Sequence, residues 1–265
     1  MTTWRLFVES EVKSPQTALA LDEVLLQQSQ PTLRIWQNQP CIVLGRFDVR
    51  LPNIDQAIHA FHQEEMTLLK RSSGGTAVWH GEGVFNVSVF VPTDVAPSGV
   101  HESFEALAGG MIQGFGHLGI NGVFGQVSGT YCDGPHNLVI DEKKAAGLAQ
   151  TRRSHGVLVH ASILVDLDLD LMHDWIERFY AEADSPQTFA RDKVITLSQA
   201  CQRTLDFQEF VDAMNEGYSS TGIKLRKESP TSEELTQSII IAQDVLLGPE
   251  VNHSIQGGYT NGLPP

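Results

Sequence analysis

Cys132 stands in the segment SGTYCDGPHN, among turn-forming residues and shortly before KKAAGLAQTRR, which holds four basic residues and no acidic one between Lys143 and Arg153. The thiolate is the nucleophilic form of cysteine, and nearby positive charge favours it, so a loop cysteine near Lys144 is placed for covalent chemistry. A buried, inert thiol is the competing reading, and the residue types alone leave both open. Cys41, inside an apolar run, and Cys201, in a polar segment without basic neighbours, fit the inert role better.

A second stretch, KRSSGGTAVWH (Lys70 to His80), joins a basic pair, two hydroxyls and two glycines between strand-like runs. Backbone N–H groups in such a turn can approach a ligand closely and receive an anion or oxyanion. It is not a P-loop, because no GK[ST] and no following helix are present, and locally it reads as a glycine hairpin turn. His80 could serve as a general base, but a lone histidine at a strand end reads as structural. DLDLD (Asp166, Asp168, Asp170) imitates half a calcium loop but has Leu171 where the glycine belongs, so it reads as a strand end facing water. Neither His59 with His62 nor His155 with His160 has a companion cluster, and no metal site is expected.

The elements that must position these residues follow from periodicity. WRLFVE alternates like a strand, and TALALDEVLLQQ places Ala18, Leu21, Val24 and Leu25 on one helical face. TLRIWQ and CIVLGR, separated by a turn around Asn38 and Pro40, suggest paired strands. Residues 54–65 read as a helix, and TLLKR, TAVWH and VFNVSVFV as strands around the glycine pair. HESFEALAGGMIQGFGHLG reads as a helix despite its glycines, and NLVID, KKAAGLAQ and HGVLVHASILVD as successive strands of one sheet. Helices follow near LMHDWIERFYAEA, DFQEFVDAMNEGY and SEELTQSIIIAQDVLL. This order predicts an α+β fold, a mixed or antiparallel sheet with packed helices, in one domain over 1–250 and a frayed tail over 251–265.

The bulk numbers agree with a folded enzyme-sized domain: 265 residues, 41% hydrophobic. No apolar run approaches the roughly 18 to 20 residues of a membrane span, and the start lacks a signal-peptide plan, so a cytoplasmic location is expected. Three cysteines without CxxC spacing argue against a disulfide framework. A net charge of -14 disfavours nucleic acid and anionic membrane as partners.

Taken together, ALALDEVLL, LRIWQNQPCIVLGRF, KRSSGGTAVWH, VFNVSV, KKAAGLAQ and KVITLSQ resemble the lipoate-protein ligase and octanoyltransferase family, related in fold to biotin-protein ligases. The resemblance implies that Arg71, Ser73, Gly74, Gly75 and Thr76 line a slot for a lipoyl or octanoyl chain. It also implies that Lys144, with Gly147 following, handles the acyl carbonyl, Lys143 being the adjacent alternative. GTYCDGPHNLVIDEKKAAGLAQ looks like the cysteine-dependent branch, which holds the acyl group as a thioester. It is most similar to transferases that relay octanoyl from the glycine cleavage H protein to lipoyl domains of 2-oxoacid dehydrogenase E2 subunits. A sister branch takes octanoyl from acyl carrier protein, and ligases of the family activate lipoate with ATP. His80-Gly81-Glu82 replaces the ligases' His-Asp pair and weakens the adenylate reading, so no cofactor beyond the transferred octanoyl or lipoyl group is expected.

The mechanism implied is a two-step exchange through Cys132, with Lys144 as an ammonium favouring the thiolate and binding the carbonyl oxygen. Lys143, Arg152 and Arg153 form the expected docking patch for acidic carrier proteins.

Overall fold

A computed structural model describes residues 3–11 and 14–249. In chain order the elements are β1 (Thr3–Glu9), α1 (Pro15–Leu25), β2 (Thr32–Trp36), β3 (Cys41–Leu44), α2 (Ile54–Gln63), β4 (Thr67–Lys70), β5 (Val78–His80) and β6 (Val84–Pro92). Then come α3 (Val100–His117), β7 (Val123–Gly125), β8 (Asn137–Ile140), β9 (Lys143–Arg152), β10 (Gly156–Leu164), α4 (Leu169–Glu182) and α5 (Leu197–Cys201). The described chain finishes with α6 (Phe207–Ser220), β11 (Lys224–Glu228), α7 (Ser232–Val245) and β12 (Leu246–Leu247).

Two sheets organise the molecule: an eight-stranded one, β11-β1-β2-β6-β10-β9-β8-β7, and a four-stranded one, β12-β4-β3-β5. β1 runs parallel to both its neighbours, while β2, β6, β10, β9, β8 and β7 pair antiparallel in succession. The mixed α+β architecture expected from the sequence is therefore present, and β8, β9 and β10 are successive strands of one sheet.

Side-chain alternation decides what each face of the large sheet meets. Val87, Val89 and Val91 of β6 enter a core with Phe104, Met111 and Phe115 of α3 and Phe210 and Met214 of α6. Asn86 and Ser88 point to the opposite face, toward the small sheet. The small sheet packs its apolar residues against α2 and α4 through Phe61, Ile176 and Phe179. Glycines inside α3 have a packing reason: a Cβ on Gly217 of α6 would stand 2.3 Å from the Gly110 oxygen and the Gly114 nitrogen, so the two helices touch backbone to backbone.

α7 is fixed to the sheet by one residue with two tasks. Glu234 completes a capping box with Thr231 and also receives Arg5 of β1 at 2.6 and 2.8 Å, both side chains buried.

Three local expectations are corrected. β2 and β3 are not partners: β2 joins β1 and β6, whereas β3 joins β4 and β5, so the turn at Asn38 carries the chain from one sheet to the other. β4 and β5 do not form a hairpin around Gly74 and Gly75, because each pairs with β3. Asp168 faces water as expected but does not end a strand; its carboxylate caps α4, accepting from the N–H groups of Asp170 and Leu171 at 3.0 Å. The expected tail over 251–265 lies outside the described residues.

Candidate active site

The facing surfaces of the two sheets enclose a narrow slot. Its floor is two rows across the large sheet, set by register: Trp36, Asn86, Ser162 and Gly147 in one, Arg34, Ser88, His160 and Ala149 in the next. Val43, Arg71, Val78 and His80 from the small sheet and its glycine loop form the roof, and Cys132 closes one end.

Cys132 is half-buried on the loop before β8 and has φ of 50°, a left-handed conformation that is uncommon for a residue with a side chain. Polar groups hold it there. Asn137 Nδ2 donates to the carbonyls of Cys132 at 2.8 Å and Gly134 at 3.0 Å, while its oxygen accepts from the Leu148 N–H at 3.4 Å. Lys144 Nζ donates to the Cys132 carbonyl at 3.1 Å and to that of Tyr131, and it lies 3.9 Å from the centroid of the Tyr131 ring.

Lys144 is fully buried. Burial pushes its ammonium down to about 8, against the upward pull of Cys132 and Asp133. An ammonium has three protons, and two are committed to carbonyls. The next residue across is glycine: a Cβ on Gly147 would stand 3.4 Å from Nζ, so residue 147 sets no side chain against the ammonium.

The glycine loop supplies the other wall. Gly75 has φ of +89°, and a Cβ there would lie 2.7 Å from Cys132 Sγ and 3.0 Å from an Arg71 nitrogen. The thiol thus rests directly on the Gly75 backbone. Arg71 lies at the slot as the family pattern implies, but its guanidinium is engaged with backbone. Nη1 donates to Val43 O at 2.7 Å, Nη2 to Gly74 O at 2.9 Å and Thr76 O at 2.7 Å, and Nε to Gly74 O at 3.2 Å. Its role here is to fold the loop and to contribute charge near the thiol. Burial holds the guanidinium below its usual range, partly offset by Cys132 and Asp48.

Behind the loop, Asp48 accepts from the Gly45 N–H at 2.8 Å and from the Tyr180 hydroxyl at 3.0 Å, and that hydroxyl accepts from the Ala77 N–H at 2.8 Å. Ser73 faces inward, its Oγ 2.7 Å from His160 Nε2. His160 Nδ1 in turn lies 3.7 Å from Asp22 Oδ2, and Asp22 is buried with Arg34 Nη1 at 2.5 Å and Ser88 Oγ at 2.8 Å. Burial is the largest single influence on the Asp22 carboxyl and would raise it, but Arg34, His160 and Ser88 together outweigh it and hold it below the usual carboxylate range.

The structure therefore brings Cys132, Lys144, Gly147, Arg71, Ser73 and Gly75 together at one slot, with Gly74 and Thr76 at its mouth beside Cys132. Tyr131, Asn137 and Asp22 complete it and were not singled out from sequence, together with His160, which the sequence offered only as a rejected metal ligand. Asn137 had a faint signal, since it ends the turn GPHN and opens an apolar strand. Asp22 and His160 had none, because each looks like an ordinary member of its helix or strand. His80 is buried and, through burial with Arg71 and His160 nearby, pushed down to about 3, which makes it a neutral structural partner rather than a base.

The docking patch does not hold as a unit. Lys143 and Arg153 are exposed, but Arg152 turns back onto its own fold, donating to Pro97 O at 2.6 Å and Ser103 Oγ at 2.8 Å. Among the described residues no group of three or more His, Cys, Asp or Glu side chains could hold a metal ion, and no helix is long and apolar enough to cross a membrane.

Comparison with known proteins gives this geometry a context. Residues 14–219 match the model of the lipoyl protein ligase A/B catalytic domain. An octanoyl-[GcvH]:protein N-octanoyltransferase of Kyrpidia tusciae is 32% identical over 194 residues, 68% of this chain and 67% of the relative. The octanoyltransferase LipM of Brevibacillus brevis is 29% identical over 261 residues, 89% of this chain and 93% of the relative. Among solved structures, lipoate-protein ligase A bound with ATP superposes with a TM-score of 0.74 at 22% identity, covering 92% of this chain and 95% of that one. A bipartite lipoate protein ligase from Thermoplasma acidophilum superposes with a TM-score of 0.65 at 20% identity, covering 92% of each chain. Such identities bear on the fold alone; the match across residues 14–219 and the 32% identity to the Kyrpidia relative place this chain in the lipoyl protein ligase A/B catalytic domain family.

Proposed function

We propose that the chain is an octanoyltransferase of protein lipoylation, which moves an octanoyl group through a thioester on Cys132 onto a lysine of a lipoyl-domain protein. The observation that carries this reading is the Cys132 thiol resting on the Gly75 backbone, at the mouth of the slot, with the buried Lys144 ammonium bound to the same loop. The names of the Kyrpidia and Brevibacillus relatives support the transferase activity and the octanoyl group.

In the first step the thiolate attacks the donor carbonyl carbon; a carbon–sulfur bond forms, the bond to the donor's carrier breaks, and the departing group takes up a proton. In the second step the acceptor lysine, as free amine, attacks the thioester; a carbon–nitrogen bond forms, the amine loses a proton, and the thiolate is restored. The uncommitted proton of Lys144 and the backbone around Gly75 receive the negative charge that develops on the carbonyl oxygen. No ATP is needed, since the acyl group arrives already activated or already attached.

The donor we favour is octanoylated glycine cleavage H protein, and the acceptors are lipoyl domains of 2-oxoacid dehydrogenase E2 subunits. Names among the relatives support this choice over acyl carrier protein. Intact-protein mass spectrometry after incubation with octanoyl-H protein, and separately with octanoyl-acyl carrier protein, tests it. An octanoyl adduct from the H protein that Cys132→Ala abolishes is expected. An adduct from acyl carrier protein alone would reassign the donor, and lipoate ligation by Cys132→Ser with ATP would remove the thioester altogether.

A further inference from the structure

The acyl chain and the acceptor must reach Cys132 from different sides. Cys132, Leu148 and Ala149 line both the slot and an open recess on its solvent side. With the octanoyl chain in the slot, the recess is the face of the thioester left to an incoming amine. That amine has to lose a proton as the carbon–nitrogen bond forms, and Lys144, an ammonium with two protons committed to carbonyls, cannot take it. Among the described residues that line the recess, Asp133 and His136 are the two that join Cys132 in carrying a titratable side chain. Imidazole is the better match to an amine's proton near neutral pH.

His136 is half-buried, its ring stacked on that of Phe104 with centroids 4.3 Å apart and 8° between the planes. Its Nε2 lies 2.5 Å from Nδ1 of His101 in α3, and His101 Nε2 lies 3.3 Å from Glu105 Oε1, one turn along the helix. A carboxylate only accepts, so the His101 proton sits on Nε2 and its Nδ1 is an acceptor. The His136 proton then sits on Nε2, directed at His101, which leaves His136 Nδ1 as a lone pair without a partner among the described residues. Burial and His101 hold the His136 imidazole below its usual range, against the pull of Glu105, and keep it in the neutral form that can accept. The next residue, Asn137, donates to the Cys132 carbonyl at 2.8 Å, so histidine and thiol ride on one braced loop.

We propose that His136 is a further catalytic residue of the transfer, the base that takes the proton of the acceptor lysine as it attacks the Cys132 thioester, with His101 and Glu105 as positioning residues behind it. The proposal rests on the thioester reading given above. The lysine nitrogen bonds to the thioester carbonyl carbon, its proton passes to His136 Nδ1, and the carbon–sulfur bond breaks to release Cys132 as thiolate. The imidazolium so formed keeps its Nε2 proton on His101, and the Glu105 carboxylate steadies the pair. When the donor is itself an amide of a protein lysine, the same group runs in reverse and returns a proton to the departing amine. A thioester donor releases a thiolate and does not need it.

The test separates steps that involve an amine from steps that do not, by single-turnover intact-protein mass spectrometry on wild type, His136→Gln and His101→Ala. In His136→Gln, acylation of Cys132 by octanoyl-pantetheine is expected to stay within about twofold of wild type, while transfer from the isolated acyl-enzyme to saturating apo lipoyl domain falls about a hundredfold. Release of the octanoyl group to hydroxylamine, an amine that is already unprotonated at neutral pH, is expected to change far less. His101→Ala should show the same pattern in weaker form. An unchanged plateau rate of transfer with a higher half-saturating concentration of lipoyl domain would make His136 a docking residue and overturn its role as base. Equal losses in acylation, transfer and hydroxylamine release would make it structural and overturn the role as well. Absence of any wild-type adduct from octanoyl-pantetheine or octanoyl-H protein would overturn the thioester reading itself, and the base with it.

Discussion

Lys144 Nζ donates to the carbonyl oxygen of Cys132 at 3.1 Å, so a buried cation of the site is tied to the backbone of the residue that carries the thiol. The same oxygen receives Asn137 Nδ2 at 2.8 Å. Two donors on one carbonyl hold Cys132 in its left-handed conformation and keep Sγ against Gly75. Charge and geometry are thus not separate contributions here, because removing Lys144 removes both.

That coupling has a pH signature. Lys144 is pushed down to about 8 by burial, so transfer that needs the ammonium should fall as pH rises through about 8. Stability moves the other way: between about 8 and 10.5 the unfolded chain binds a proton that the folded one does not, so the Lys144 contribution to stability rises with pH across that window. The expected result is a descending limb near pH 8 in the pH–rate profile, absent from the residual activity of Lys144→Met, which should be lower by about a hundredfold or more. Denaturant unfolding of both proteins across pH 7 to 10.5 checks the stability half.

Gly75 is expected to tolerate no side chain. Its φ of +89° and the 2.7 Å approach of Cys132 Sγ mean that alanine must displace either the thiol or the loop. Gly75→Ala should lower the rate of Cys132 acylation by about a hundredfold, the order expected for misplacing a reacting atom by about an ångström. Reaction of Cys132 with a small alkylating reagent should change less than acyl transfer, which separates misplacement from loss of the thiol.

Much of the site was legible in the sequence because its candidate reacting residues are chemically conspicuous: a thiol in a turn-rich loop, a basic run, a glycine pair between strands. The supporting residues were not. Asp22 sits in a helix whose apolar face conceals it, and only the fold reveals that it lies 3.7 Å from His160. The pairing of strands was legible only where neighbours in sequence are neighbours in the sheet, as for β8, β9 and β10. β2 and β3 look like a hairpin because the short turn at Asn38 gives no sign that it changes sheets. β11 went unseen because its sequence, KLRKE, is charged and largely exposed, as befits the sheet edge it occupies.

Arg152 and Arg153 should separate cleanly. Arg152 bonds Pro97 and Ser103, so Arg152→Ala is expected to destabilise the fold by about 1 to 2 kcal/mol. Arg153→Glu and Lys143→Glu, on exposed side chains, should leave the melting temperature nearly unchanged. If these two residues dock an acidic carrier, the double variant should weaken carrier binding and reduce its salt dependence. Thermal melts and carrier titrations at two ionic strengths check both statements.

The buried Asp22–Arg34 pair predicts an acid limit to stability. The folded Asp22 carboxyl lies below its usual 3.8, so its contribution is present above that value and is lost as pH falls below it. Asp22→Asn should cost about 3 kcal/mol at pH 7 and flatten the acid-side loss of stability. Chemical denaturation at pH 7 and pH 3 measures the difference.

The central claim is that the acyl group passes through Cys132. The most direct measurement is to isolate the octanoylated enzyme free of donor, add apo lipoyl domain, and follow both proteins by intact mass. The account predicts that octanoyl leaves Cys132 and appears on the acceptor lysine at a rate at least equal to turnover, and that Cys132→Ala forms no adduct and transfers nothing. An adduct that persists while turnover proceeds, or full transfer by Cys132→Ala, would contradict it.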